Sequence, residues 1–338
     1  MRINPGLRIV DFGDGHLLVG TGEHAIAFTD LTPKERAFVH SLSEQSEIVG
    51  HPGRDVPEPR RSFILRKLEN VTVATPSFRI SGTRFTIVQP DIIRSSASYQ
   101  LHAGPIVQAR HQAQVVLIGL DRATTMLAAI LAQAGVGQLH LVDESSVQLP
   151  DMGGPLFTIS DLGLPKTSQA AKHLTRQHPK IIITGATLQD LAHHSALPEP
   201  GPQPGVAIAM GRDALDPAVR ETLMMSGLSH LQVIFGDTTA SIGPMVVAGI
   251  PGCLDCADLP LIEHEGDTFV LPPGELIPDA ASASVVAGLA AQHILMVIDG
   301  QLLPATVGAR MTFHLDTGAV VTRELPVNTR CACHRAVA

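Results

Sequence analysis

Tryptophan is absent from this chain, tyrosine occurs once at Tyr99, and aromatic residues make up only 3% of the 338 positions. A protein that stacks bases or sugars on side-chain platforms needs more than that. Basic residues do not outnumber acidic ones. With 24 Lys and Arg against 32 Asp and Glu, the net charge of −8 excludes binding to nucleic acid by phosphate neutralisation. No apolar run reads as long enough to span a bilayer. The opening MRINPGLRIVDFGDG lacks the basic-then-apolar order of a signal peptide. The expectation is a cytoplasmic protein with neither nucleic acid nor membrane as partner. There is no G-x-S-x-G elbow for a hydrolase nucleophile. Cysteine is scarce as well, with only four, and none stands outside a close pair to serve as a thioester nucleophile.

What is present is mostly apolar. Hydrophobic residues account for 44% of the chain and the mean hydropathy is +0.20, so the chain has material for two domains with real cores. The four cysteines form Cys253-x-x-Cys256 and Cys331-x-Cys333, the latter followed by His334. Two close pairs suit a tetrahedral zinc site. A disulfide inside either pair would be strained. The metal ligands read as Cys253, Cys256, Cys331 and Cys333, with His334 competing for the fourth place. Such a zinc would be structural, closing a domain from residue 253 to the C-terminal pair.

Composition changes near residue 105. Before it, LRIVDF and HLLVG read as short strands. Thr32-Pro33-Lys34-Glu35 reads as a capping box opening a helix through Phe38, Val39 and Leu42. Residues 50–59 read as a Gly/Pro-rich linker, and a second helix falls around Arg61–Glu69. The alternating runs VTVAT, FRIS and TRFTIV read as strands of a ribbon. This pattern predicts a small winged-helix-like α+β domain over 1–105. Arg60, Arg61, Arg66 and Lys67 read as a solvated charge cluster. Residues 106–338 alternate strand and helix, which predicts an α/β domain with a doubly wound, mostly parallel Rossmann-type sheet. Strands are expected at 114–120, 138–144, 180–186, 205–210, 231–236 and 241–249, with a closing hairpin at 311–325. Helices are expected at 123–134, 167–178, 217–226 and 283–298.

The first strand–turn–helix of this second half is a nucleotide corner in outline. A glycine-rich turn there lets backbone N–H groups approach phosphates at a helix N-terminus, and Asp143 at the end of the next strand is placed to take ribose hydroxyls. In Gly119-Leu120-Asp121-Arg122-Ala123-Thr124, however, only the first glycine of G-x-G-x-x-G is present. Asp121 puts a carboxylate where a phosphate would come, and Thr124 adds a side chain where helix and strand pack closely.

The succession VLIG…AGVGQLHLVDESSV, LFTISDLGLPKTSQAAKHL, PGCLDC and the last cysteine pair resembles the ThiF/MoeB/HesA group, relatives of the ubiquitin-activating enzymes, over roughly residues 110–338. The resemblance implies ATP- and magnesium-dependent adenylation of the C-terminal carboxylate of a peptide or ubiquitin-like small protein, by a homodimer with a structural zinc. It assigns Gly119 and Asp143 to nucleotide binding and Lys166 to the phosphates, as the candidate catalytic residue. The family's phosphate-contacting arginine has no counterpart in Pro150–Pro155, and its magnesium aspartate falls at Arg212, beside Asp213. Arg110, Arg122 and Arg212 are the cations that could replace what is missing; each otherwise reads as a surface arginine. The resemblance extends loosely to residues 7–70, similar to domains that clamp a leader peptide by strand addition. The resulting expectation is a protein with a degenerate ATP site, weakly active or acting as a peptide- or protein-binding partner. The alternative is an active adenylyltransferase with a rearranged site, using ATP and magnesium.

Overall fold

The computed structural model describes residues 2–43, 52–74, 83–192, 205–250, 252–256, 261–264, 267–325 and 331. The chain divides into two compact units, Met1–Gln108 and Ala109–Ala338.

The first unit contains β1 (Arg2–Ile3), β2 (Ile9–Gly13), β3 (His16–Val19), β4 (Ile26–Phe28), α1 (Pro33–Ser41), α2 (Glu58–Lys67), β5 (Thr72–Val73) and α3 (Thr83–Tyr99). An α4 (Gly104–Ala109) follows. β2, β3 and β4 form an antiparallel sheet with β3 in the middle, and β1 pairs with β5. The capping box is present: Thr32 accepts from the Glu35 N–H, and the Glu35 carboxylate accepts from the Thr32 N–H at 2.7 Å. Arg60 reaches the same carboxylate from α2 at 2.6 Å. Hydrogen bonds from Arg60 and Thr32 hold the Glu35 carboxyl down at about 2 despite its burial.

Three expectations for this half need correction. Within the expected 50–59 linker, the described residues 52–59 are not a linker. Pro52–Asp55 make a 3-10 turn, Val56 is buried, and α2 begins at Glu58, because Pro59 in a first turn loses no hydrogen bond. TRFTIV is not a strand but the start of α3. Buried Val88, Ile92, Ser95 and Ser96 follow a helical period that becomes visible only beyond those six residues. Among the described residues of the expected ribbon only Thr72–Val73 is strand, and FRIS lies outside the described residues. The basic cluster is largely paired: Arg60 with Glu35 and Asp30, Arg61 with Glu58, and Lys67 donating to the Ala27 carbonyl above the Phe28 ring.

The second unit contains β6 (Gln114–Ile118), α5 (Arg122–Gln133), β7 (Gln138–Val142), α6 (Lys166–Gln177), β8 (Ile182–Ala186), α7 (Leu188–Ala192), β9 (Val206–Arg212), α8 (Pro217–Met225), β10 (Ser229–Phe235) and β11 (Thr239–Val246). A hairpin of β12 (Leu261–His264) and β13 (Asp267–Val270), then α9 (Ala280–Asp299), β14 (Ala309–His314) and β15 (Val320–Glu324) complete it. The eight-stranded sheet runs β15-β14-β11-β10-β9-β6-β7-β8, and the block from β10 to β8 is parallel. β6 is buried along its whole length. Its alternate residues divide between two cores. Val115 and Leu117 pack with residues of α5, α6 and α9; Val116 and Ile118 pack on the other face with residues of α7 and α8.

Two expectations change here too. The helix Ala280–Asp299 is long and apolar enough to cross a membrane by length and composition, so an apolar run of that length does occur. Its residues Ala283, Val286, Ala287, Ala290 and Ile294 are buried in the sheet's core with α5, which accounts for its hydropathy. Arg110 is not a surface residue. It is 3% exposed, donates to both Asp299 carboxylate oxygens at 2.8 and 2.6 Å, and donates to the Ala134 carbonyl at 3.1 Å.

Candidate functional site

Ligands of open α/β sheets sit beyond the carboxyl ends of the strands, where the strand order reverses. Here the reversal lies between β6 and β9, bounded by Gly119–Arg122 on one side and Arg212–Asp213 on the other. Gly119 has φ +80°, a conformation glycine adopts without strain. Its N–H donates to the Val142 carbonyl at 2.8 Å, and the next N–H, of Leu120, donates to Asp143 Oδ2 at 2.6 Å. Asp143 Oδ1 accepts from the N–H and hydroxyl of Ser145 at 2.7 and 2.6 Å. The carboxylate assigned to ribose is thus engaged on both oxygens by its own chain.

Asp121 is the N-cap of α5. Its Oδ1 accepts from the N–H groups of Ala123 at 2.7 Å and Thr124 at 3.2 Å, and its Oδ2 accepts from the Thr124 hydroxyl at 2.7 Å. The donors that a helix N-terminus offers to an anion are therefore taken by the protein's own carboxylate. Burial pushes the Asp121 carboxyl above its ordinary range, against the opposing pull of those bonds.

Lys166, the first residue of α6, lies 3.0 Å from Asp151 Oδ1, and both side chains are 12% exposed. Asp151 Oδ2 accepts from the Gln148 N–H at 2.8 Å. Asp161, in the loop before Lys166, is fully buried. It accepts from Thr158 and lies 2.8 Å from His173 Nε2. Thr158, then burial opposed by His173, leave its carboxyl at about 2. This pins the loop to the body of α6. Arg122 donates to the carbonyls of Pro278 at 3.1 Å and Pro150 at 2.8 Å. Arg122 and Lys166 line one cavity of about 170 Å³, together with Gln148, Asp151 and the 275–278 segment.

Of the other named residues, Arg212 pairs with Asp213 and Asp237, and its carbonyl accepts from the Gly274 N–H at 3.0 Å. Asp213 takes a left-handed conformation, φ +62°, and its Oδ2 accepts from Arg212 Nε at 3.3 Å. At this strand end the carboxylates of Asp213 and Asp237 both accept from Arg212. Sequence reading missed the 275–278 segment and the Asp151–Lys166 pair.

The cysteine cluster lies elsewhere in this unit. Cys253 Sγ is 3.9 Å from Cys256 Sγ and 3.4 Å from Cys331 Sγ, and all three lie within 4.8 Å of one another. A disulfide would bring two sulfurs to about 2.05 Å. The observed edges instead suit thiolates about 2.3 Å from a shared ion, so the three cysteines can hold a metal. Leu254, fully buried, and an Arg220–Asp255 bond of 2.7 Å fasten the turn to α8. Cys333 and His334 lie outside the described residues.

The mostly parallel sheet with its strand–turn–helix corner and the cysteine cluster together define a ThiF-type α/β protein. Residues 101–334 match the ThiF family, and the chain belongs to it. It is 25% identical over 206 residues to ubiquitin-like modifier-activating enzyme 5 of Arabidopsis thaliana, covering 54% of this chain and 46% of that one. It is 40% identical over 72 residues to the sulfur carrier protein ThiS adenylyltransferase of Escherichia coli K12, covering 21% and 29%. The chain thus spans less than half the length of these curated relatives. Among solved structures, E. coli MccB with ATP superposes at TM-score 0.71 with 18% identity over 98% of both chains. The microcin C7 biosynthetic enzyme MccB in complex with N-formylated MccA gives 0.70 with 20% identity over the same shares. PaaA gives 0.71 with 17% identity, covering 95% of this chain and 98% of that one. At such identities the likeness is one of fold.

Proposed function

We propose that this chain is a divergent ThiF-family protein that binds the C-terminal region of a peptide or ubiquitin-like small protein, with an ATP site too altered to adenylate efficiently. The observation that carries the reading is the Asp121 carboxylate on the N-terminus of α5. An ATP phosphate would have to displace it or sit beside it, and like charges at contact cost about 1 kcal/mol or more, depending on burial. Lys166 is already paired with Asp151, and Asp143 is engaged by Leu120 and Ser145. The unit over 1–108 is read as a winged-helix-like clamp. In its support stand the edges of the β2-β3-β4 sheet, which no further strand pairs among the described residues, and a cavity of about 780 Å³ lined by Thr32, Pro33, Asp55, Val56, Pro57 and Arg60, among others. The metal is read as a structural zinc on Cys253, Cys256 and Cys331, with Cys333 or His334 as fourth ligand. The protein is read as a cytoplasmic homodimer. The test is ATP–pyrophosphate exchange in the presence of candidate peptides. Exchange at background fits the reading, and exchange above background that Lys166→Ala abolishes overturns it.

One observation favours the second reading, an active adenylyltransferase with a rearranged site: Arg122 stands beside Lys166 in one cavity. The same exchange assay separates the two.

A further inference from the structure

β3 is the middle strand of the β2-β3-β4 sheet, so β4 has an edge that no strand pairs among the described residues. An unpaired edge takes a further strand unless something guards it, and lysine is a common guard. Here the guard comes from α2. Lys67, the last residue of that helix, donates to the carbonyl of Ala27, the central residue of β4, at 2.6 Å. The same ammonium stands 4.7 Å from the centre of the Phe28 ring and 5.9 Å from that of Phe63. A carbonyl and two rings orient a cation but leave its charge in place.

The charges of α2 are not treated alike. Arg60 is paired with Glu35 and Asp30, and Arg61 with Glu58. Among the described residues no carboxylate pairs with Lys67. Arg60, Phe63 and Lys67 are spaced by three and four residues, so they form one stripe along the helix. Arg60 stacks on Phe63 at 5.3 Å, yet the ring remains 39% exposed. An exposed ring next to an ammonium without a counter-ion, beside an unpaired strand, is complementary to an extended segment that brings an apolar side chain and a carboxylate.

We propose that Lys67 gates the edge of β4 and sets the chemistry of its partner, an extended peptide segment with an acidic side chain. The peptide carboxylate draws the ammonium off the Ala27 carbonyl and frees the main chain for pairing, while Phe63 receives an apolar neighbour. A neutral or basic segment meets a guarded edge. The proposal rests on the reading of the first unit as a clamp and adds the charge of what is clamped.

The test uses the full-length protein and short blocked peptides of alternating valine and threonine. One glutamate is moved along the peptide, and each peptide has a glutamine twin. Affinity is read by fluorescence anisotropy and location by amide hydrogen exchange. At the register that brings the carboxylate to Lys67, the glutamate peptide binds wild type about three- to fivefold tighter than its twin, the range of an exposed ion pair. Exchange slows at Ile26–Phe28. Lys67→Met keeps an unbranched stem beside Phe63 and loses the preference, whereas Phe63→Ala weakens both twins alike. Twins of equal affinity at every register, a preference that survives in Lys67→Met, or protection confined to other segments of the first unit overturns the proposal and leaves the clamp reading standing. If Lys67→Met does not fold, salt decides. The preference shrinks toward unity between about 0.05 and 0.5 M salt, and a preference indifferent to salt overturns the proposal. Binding of no peptide at millimolar concentration sinks the clamp reading, and this proposal with it.

Discussion

The cysteine cluster and the strand–turn–helix corner belong to one unit and one family, yet they treat their donors in opposite ways. The cluster keeps its sulfurs converged, with no S–S bond, on a turn fastened by Leu254 and by Arg220–Asp255. The corner keeps its backbone course but turns its polar groups inward: Asp121 onto α5, Asp143 onto Leu120 and Ser145, Asp151 onto Lys166. A metal site that closes a fold contributes stability whether or not catalysis continues. A phosphate site contributes only when phosphate is bound, and its donors, if left unmet and buried, cost stability. On the proposed reading, the scaffold is retained while the ligand chemistry is substituted.

The largest effect expected from breaking this contrast lies on the metal side. Cys253→Ser should lose the bound metal and destabilise the second unit by several kcal/mol, read by metal analysis and thermal melting. A variant that melts like wild type with metal absent from both would remove the cluster's structural role. Next comes the comparison of two arginines. Arg110→Ala leaves Asp299 buried without its bidentate partner and should cost about 3–5 kcal/mol. Arg122→Ala, which loses two carbonyl contacts, should cost about 1–2 kcal/mol. Equal costs in denaturant unfolding would contradict the division into an arginine that neutralises a buried carboxylate and one held by carbonyl oxygens.

A smaller effect is the pH dependence of the first unit. The folded pKa of Glu35 is about 2, depressed from 4.5. Its contribution is therefore fully present above about pH 4.5 and is lost as pH falls toward 2. The loss should be on the order of 1 kcal/mol, since Arg60 is partly exposed. Asp161, depressed to about 2, loses its contribution in the same direction in the second unit, from about pH 3.8 downward. Melting temperatures of wild type and Glu35→Gln between pH 6 and pH 3 check the first case. The glutamine variant should show the shallower fall.

Much of both units was legible where the signals are local. QVVLIGL is a continuous apolar run and forms β6, and the Thr32–Glu35 capping box lies within four residues. The carboxylate at Asp121 was legible as an obstacle to phosphate. Its role as an α5 cap needed the geometry of Ala123 and Thr124. What sequence could not reveal depends on distant partners. Arg110 meets an aspartate 189 residues away, and Arg122 meets the carbonyl of Pro278. The hydropathy of α9 follows from burial between α5 and the sheet, which no window of sequence contains. TRFTIV alternates over six residues by accident of composition, and the helical period of α3 is carried by residues after it.

The central claim is that Asp121 closes the α5 N-terminus to phosphate. Calorimetry with ATP and magnesium on wild type and Asp121→Gly tests it most directly. Glycine in place of a capping aspartate costs a helix only a few tenths of a kcal/mol to about 1 kcal/mol, so the variant should stay folded. The account predicts weak or absent binding to wild type and a gain of about tenfold or more in Asp121→Gly. Micromolar binding to wild type, or a glycine variant that binds no better, would contradict it.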